Sequence, residues 1–171
     1  MASAKSSPAV PLITPDVVVR VSSTLDKSVS KKYLTDGDSE TCWASANGLP
    51  QSITLVFPNA VIPSDLSITF AGGFVGTHCS LSYASPPGPS KTFRPWAKFY
   101  PADSNRSQSF SVGPTDEEVG LNDEVRKDGA TTWKVEFEKG SDFFGRITVY
   151  EFGITGWNVV RKIRRLNDCR P

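Results

Sequence analysis

The segment Thr132-Trp133-Lys134-Val135-Glu136-Phe137-Glu138 alternates apolar and charged residues without a break. In a strand, successive side chains point to opposite faces, so Trp133, Val135 and Phe137 face a core while Lys134, Glu136 and Glu138 face water. No apolar pattern with the helical period of useful length occurs before Trp157, so this chain must build its core from sheets. Asp65-Leu66-Ser67-Ile68-Thr69-Phe70 repeats the alternation, with Leu66, Ile68 and Phe70 on one face. Val17 to Leu25 and Ser52 to Phe57 read as further strands, and Pro58 to Pro63 reads as a tight connection. Phe93 to Tyr100 reads as an edge strand, because Pro95 cannot donate to an inner ladder. Arg146 to Thr155 is apolar on both faces, which predicts a central strand. Thirteen glycines and thirteen prolines in 171 residues suit an all-β chain. About eight short strands between irregular turn signals point to a β-sandwich.

One domain accounts for the length. Residues 1–15 are rich in Ser, Ala and Pro and are expected to form a disordered arm, with the domain over 16–157 and a basic tail over 158–171. Ser85 to Ser90 and the acidic Gly113 to Gly129 read as loops. The 19 basic and 18 acidic residues balance, which gives no general pull toward nucleic acid or an anionic membrane. The cluster Arg161, Lys162, Arg164, Arg165 and Arg170 would serve either as a phosphate contact or import signal, or as a solvated tail. No signal peptide or membrane span is readable, and three cysteines make an odd number, so reduced thiols in cytoplasm or nucleus are expected.

Chemistry has few places to reside. The single histidine, His78, adjoins Cys79, and neighbours on a strand point apart, so the two do not form a nucleophile–base pair. No nucleophile elbow, phosphate loop or dinucleotide fingerprint is present, so a non-enzyme is expected. The loop Tyr33-Leu34-Thr35-Asp36-Gly37-Asp38-Ser39-Glu40-Thr41-Cys42-Trp43 concentrates side-chain oxygens and ends on a large apolar anchor. Such a loop solvates itself, caps a turn or holds a hard cation. It fails the EF-hand pattern, because Thr41 stands where glycine is needed and Asn47 where the bidentate glutamate is needed. A different calcium geometry stays open, with loop carbonyls joining Asp36 and the Thr41 hydroxyl. Glu151 interrupts an apolar strand between Tyr150 and Phe152. Buried, it would need an arginine, backbone donors or a cation; half-exposed, it would need none.

Leu34 to Trp43 resembles the x-x-Asp-Gly-x-x-x-Thr-x-Trp loop of discoidin-like, or galactose-binding-like, domains. Glu151-Phe152-Gly153-Ile154-Thr155-Gly156 resembles their closing strand. Glu40-Thr41-Cys42-Trp43, Phe70-Ala71-Gly72-Gly73-Phe74, Phe99-Tyr100-Pro101 and Asp142-Phe143-Phe144-Gly145-Arg146 are similar to segments of a nuclear-receptor-associated branch of that superfamily. The resemblance covers Val17 to Gly156. It implies an all-β, discoidin-like jelly-roll sandwich and a protein-binding role, with a nuclear receptor as partner and transcriptional co-regulation as the setting. It also implies a structural Ca2+ site made of Asp36, the Asp38 carbonyl, Thr41 and Glu151. Gly73, Phe74, Phe143, Phe144 and Arg146 are the candidate partner contacts, since exposed aromatics and arginine anchor interfaces. Alternatively, Phe143 and Phe144 plug the sandwich while Arg146 pairs with a carboxylate. A carbohydrate-binding module and a ciliary-transport-type discoidin-like subunit are the competing functional expectations.

Overall fold

A computed structural model of the chain describes residues 7–84, 92–114 and 123–159. Nine strands appear among them: β1 (Val10–Pro11), β2 (Val18–Val21), β3 (Trp43–Ala44), β4 (Gln51–Phe70), β5 (Gly76–Ala84), β6 (Arg94–Phe99), β7 (Ser107–Ser111), β8 (Ala130–Gly140) and β9 (Thr148–Asn158). One short helix, α1 (Asp123–Asp128), precedes β8. All pairings are antiparallel.

The strand β4 runs through both leaves of the sandwich. Its first part, Gln51 to Val56, lies between β2 and β8. Its second part, from Val61 to Phe70, pairs with β9, and Asp65 to Thr69 also pair with β7. One leaf is therefore β2–β4–β8–β5–β6, and the other is β7–β4–β9 with β1 and β3 along the far side of β9. The expected turn over Pro58 to Pro63 does not form; the two predicted strands are one strand of 20 residues. Its prolines are tolerated because each falls where the ladder is interrupted. Pro58 lies between the register shift at Val56 and Val61, and Pro63 borders the shift against β9. The buried parity also changes: Ile53, Leu55 and Phe57 face inward, then Leu66, Ile68 and Phe70. A strand passing from one leaf to the other must make such a slip, because its inward face reverses.

Phe70 of one leaf meets Phe137 of the other edge-to-face at 5.9 Å, and Trp43 stands 6.5 Å from Phe137. A second group joins Tyr83, Trp96 and Trp133, with the two indoles 5.2 Å apart. The indole N–H groups keep their hydrogen bonds inside: Trp43 donates to the Ser23 carbonyl at 3.0 Å and Trp133 to the Ala130 carbonyl at 3.0 Å. The predicted inward faces of β8 and of the second half of β4 are buried as expected. Gly156 is required by close approach, since a Cβ there would lie 2.1 Å from the Ile62 carbonyl oxygen across the β4–β9 pair.

Four further expectations change. Residues 7–15 are not a free arm, because β1 pairs with β9, Leu12 is buried and the Trp157 indole donates to the Ser7 carbonyl. The strand expected over Val17 to Leu25 is only β2, ending where the Ser22 and Ser23 hydroxyls turn to the Gln51 side-chain oxygen. The acidic segment before Gly129 contains α1, whose Val125 is buried. The last strand is central as expected, but it alternates rather than being buried on both faces. Residues 85–91 and 115–122, and the basic tail beyond Val159, lie outside the described residues.

Phe137 contacts both Trp43 and Phe70, so Phe137→Ala should cost about 3–5 kcal/mol of unfolding free energy in urea titrations. A loss below about 1 kcal/mol would contradict a shared core between the leaves.

Candidate interaction surface

Two loops cross at one end of the sandwich. The Asp142 carbonyl accepts the Gly145 amide at 3.1 Å, and its carboxylate accepts the Arg146 amide at 3.0 Å, which closes a tight turn. Gly145 sits at φ 75°, and a Cβ there would come within 3.0 Å of the Gly48 carbonyl carbon. The Gly48 amide in turn donates to the Phe144 carbonyl at 2.8 Å. Backbone bonds therefore hold the turn from below while its two aromatic side chains receive no pocket. Phe143 is 94% exposed and Phe144 65%, with their rings edge-to-face at 5.3 Å. The reading in which these rings plug the sandwich is incorrect. The turn's geometry needs only Asp142 and Gly145, so both rings are left on the crest. Beside them a groove of about 610 Å³ opens between Leu49 and Lys139.

Gly73 and Phe74 reach the same end. The Gly72 and Gly73 amides donate to the side chains of Asn105 and Asp103, the latter at 2.8 Å, and this fixes the bend after β4. Phe74 is half-buried, and the Arg146 guanidinium lies over its ring at 6.0 Å. Arg146 also reaches the Asn47 side-chain oxygen at 3.5 Å through an exposed Nη2. Among the described residues Arg146 has no carboxylate at ion-pair distance, and its buried Nε has no acceptor. The expected carboxylate partner fails because Asp142 bonds the Arg146 backbone amide instead. All five candidate partner residues thus share one end of the molecule. Asn47, Leu49 and Lys139 belong to that surface and escaped sequence reasoning, although Asn47-Gly48-Leu49-Pro50 carries a turn signature.

The acidic loop lies between the short helical turn ending at Leu34 and β3. Asp36 accepts the Asp38 amide at 3.0 Å and the Thr41 hydroxyl at 2.7 Å, while that hydroxyl also lies 3.2 Å from the Asp38 carbonyl. Asp38 accepts the Glu40 amide at 2.9 Å. The Thr41 hydroxyl, followed by the Asp38 amide, holds the Asp36 carboxyl below its ordinary range. Glu151 does not interrupt a buried strand: its side chain is exposed, because it falls on the outward parity of β9. Its presence there therefore demands no counter-ion. Among the described residues, no group of three His, Cys, Asp or Glu side chains is arranged to hold a metal. The Asp36 carboxylate and the Asp38 carbonyl both lie within hydrogen-bond distance of the Thr41 hydroxyl, so the loop's oxygens are engaged with one another. Trp43 pairs with Val149, so Thr41 and Glu151 each lie two residues along from that bridge, at the same end of it.

His78 is exposed, meets the Tyr100 ring edge-to-face at 5.4 Å and approaches the Thr77 hydroxyl at 3.2 Å. Cys79 points the opposite way into the core, where burial, and then the charge of Glu138, push its thiol far up. The two side chains stand apart as the strand period requires. Cys42 and Cys79 are free thiols, and Cys169 lies outside the described residues.

No protein-family profile matches the chain. Curated relatives do. The nuclear receptor 2C2-associated protein of Mus musculus is 38% identical over 148 residues, covering 85% of this chain and 94% of the relative. Its Homo sapiens counterpart is 36% identical over 151 residues, covering 86% and 97%. The chain belongs to the nuclear receptor 2C2-associated protein family. Members from Danio rerio are similar too, at 37% identity over 80% of this chain and 89% of the relative. Among solved structures, the family 32 carbohydrate-binding module of Clostridium perfringens NanJ, in complex with galactose, superposes with a TM-score of 0.65 at 16% identity, covering 86% of this chain and 99% of that one. An F5/8 type C domain from Bacteroides fragilis superposes at 0.66 with 9% identity, covering 88% and 98%. These likenesses establish the discoidin-like β-sandwich for this family member.

Two measurements check the surface. Phe143→Ser and Phe144→Ser remove rings that stabilise nothing, so thermal unfolding should move by less than about 0.5 kcal/mol equivalent. A core-sized loss would mean that the rings are buried in solution. Thr41→Val should return the Asp36 carboxyl toward its ordinary value, followed by carbon NMR titration of that group. Because the folded-state value is depressed, this bond's contribution is present above the ordinary carboxylate range and lost as pH falls through the lowered value.

Proposed function

We propose that this family member is a non-catalytic protein-interaction module that docks its partner on the loop end bearing Phe143 and Phe144. The observation that carries the reading is the pair of rings held in water by a backbone-braced turn. Folding gains nothing from displaying so much apolar surface, whereas covering it on binding removes it from water. Phe74 and Arg146 extend the surface with an aromatic ring and a guanidinium, residue types that commonly anchor interfaces. The names of the relatives support a nuclear receptor as the partner; on this reading the setting is transcriptional co-regulation in nucleus or cytoplasm.

Purified receptor of the 2C2 class should be retained by the immobilised wild-type chain and lost, by about tenfold or more, from the Phe143→Ser/Phe144→Ser double variant. Equal retention by both would overturn the assignment of this surface. The sugar complex among the solved neighbours favours one alternative, carbohydrate binding by the sandwich. A glycan-array signal that disappears in the double variant would replace the protein-docking reading.

The acidic loop has a separate, structural role in this reading. Calcium would sit on the Asp36 carboxylate, the Asp38 carbonyl and the Thr41 hydroxyl, with Glu151 brought in from β9, and would brace the loop against that strand. Millimolar calcium should raise the unfolding temperature and EDTA reverse it, with the effect absent in Asp36→Asn. An unchanged temperature in the wild-type chain would end the calcium assignment and leave the loop as a hydrogen-bonded turn.

A further inference from the structure

The groove end has a chemical asymmetry that the aromatic pair alone does not explain. Lys139 and Asp142 line it, and a second cation, Arg146, follows directly on the lining residue Gly145. The Asp142 carboxylate is already engaged by the Arg146 amide, and neither cation has a carboxylate at ion-pair distance among the described residues. Arg146 is held for display. Its guanidinium carbon lies 6.0 Å from the Phe74 ring centroid, its Nε is buried without an acceptor, and its Nη2 is exposed beside the Asn47 oxygen at the long distance of 3.5 Å. A guanidinium near an aromatic ring and an amide oxygen still presents a planar fork of donors that a planar anion meets at its outer edge.

The rings and the guanidinium are also tied to each other. Phe143, Phe144 and Arg146 stand on one turn, and that turn is clamped to the Asn47–Leu49 strip by the Gly48 amide and by the close approach of Gly145 to Gly48. The apolar and cationic contacts therefore stand on one braced segment, near enough in the chain for a single ligand to meet both.

We infer that the segment this surface receives is an apolar–acidic peptide of the partner protein, with an apolar side chain laid against Phe143, Phe144 and Leu49 and a carboxylate placed on the outer edge of Arg146. The inference rests on the protein-docking reading and names the chemistry of the partner. The two anchor points lie on neighbouring residues of one loop, so the apolar and acidic groups lie within a few residues of each other in the partner. The carboxylate is supplied by an Asp or Glu side chain or by a chain terminus, which present the same planar anion.

The test uses the full chain and fluorescein-labelled, acetylated decapeptide pools with a fixed Leu near a fixed Glu, blocked as C-terminal amides. Matched pools carry Gln in place of Glu, and a third set carries Gln with a free terminal carboxylate. By fluorescence polarisation, the wild-type chain should bind the Glu pool tighter than the Gln pool by about tenfold or more. Arg146→Gln should erase that difference while retaining the weaker binding of the Gln pool, which also shows that the variant is folded. Arg146→Lys, with charge but no fork, should keep part of the preference. Tight binding of the third set alone would assign the anion to a chain terminus and uphold the inference. Glu and Gln pools that bind equally, yet are both lost in Phe143→Ser, would overturn the carboxylate and leave the docking surface standing. No binding by any pool would overturn the inference as well, whereas the docking reading itself stands or falls with receptor retention by the double variant.

Discussion

The hydrogen-bond ladder of β4 is the constraint on which this molecule depends. One strand gives its first third to the leaf that contains β8 and its last half to the leaf that contains β9. The two leaves are therefore joined by continuous backbone as well as by packed rings. Phe70 at the end of that strand reaches Phe137 across the core, so the covalent join and the aromatic join reinforce each other. The close approach permitted by Gly156 keeps β9 tight against β4 in the stretch where the strand changes leaf.

This frame accounts for what happens at the loop end. Loops leaving β4, β8 and β9 are secured by backbone bonds: Ser45 to Ile147, Gly48 to Phe144, Ser141 to Val75 and Thr148 to Phe74. Each bond satisfies a polar group that a sandwich end would otherwise leave to solvent. With stability supplied there by main chain, the side chains of the turn are released from packing. Phe143 and Phe144 illustrate the result, because they contribute to display rather than to the core. The acidic loop is the opposite case, since Trp43 sinks its last residue into the core and Asp36 closes the remainder on itself.

Period-two patterning made much of the frame legible. Trp133, Val135 and Phe137, and Leu66, Ile68 and Phe70, announced their faces directly. The continuity of β4 was hidden because Pro58 and Pro63 signal a turn, and only long-range pairing shows that both fall at ladder interruptions. Leu12 and β1 were hidden in a Ser- and Pro-rich stretch whose order comes from β9, a partner more than a hundred residues away. At the site, Asp142 to Arg146 stood out by composition, but exposure and burial have the same local sequence. A Phe-Phe pair reads as core until the turn beneath it is seen to bind backbone instead. The parity of Glu151 was a similar case: its apolar neighbours left burial and half-exposure both open, and the alternation of β9 turns it outward.

Native-state hydrogen exchange along β4 probes the frame most directly. If one strand unites the leaves, the amides of Ile53 to Leu55 and those of Leu66 to Ile68 open in the same global event. Their opening free energies should agree within about 1 kcal/mol and share one denaturant dependence. If one half opens several kcal/mol below the other with its own, smaller denaturant slope, the leaves are separate cooperative units and the loop end lacks the rigid base described for it.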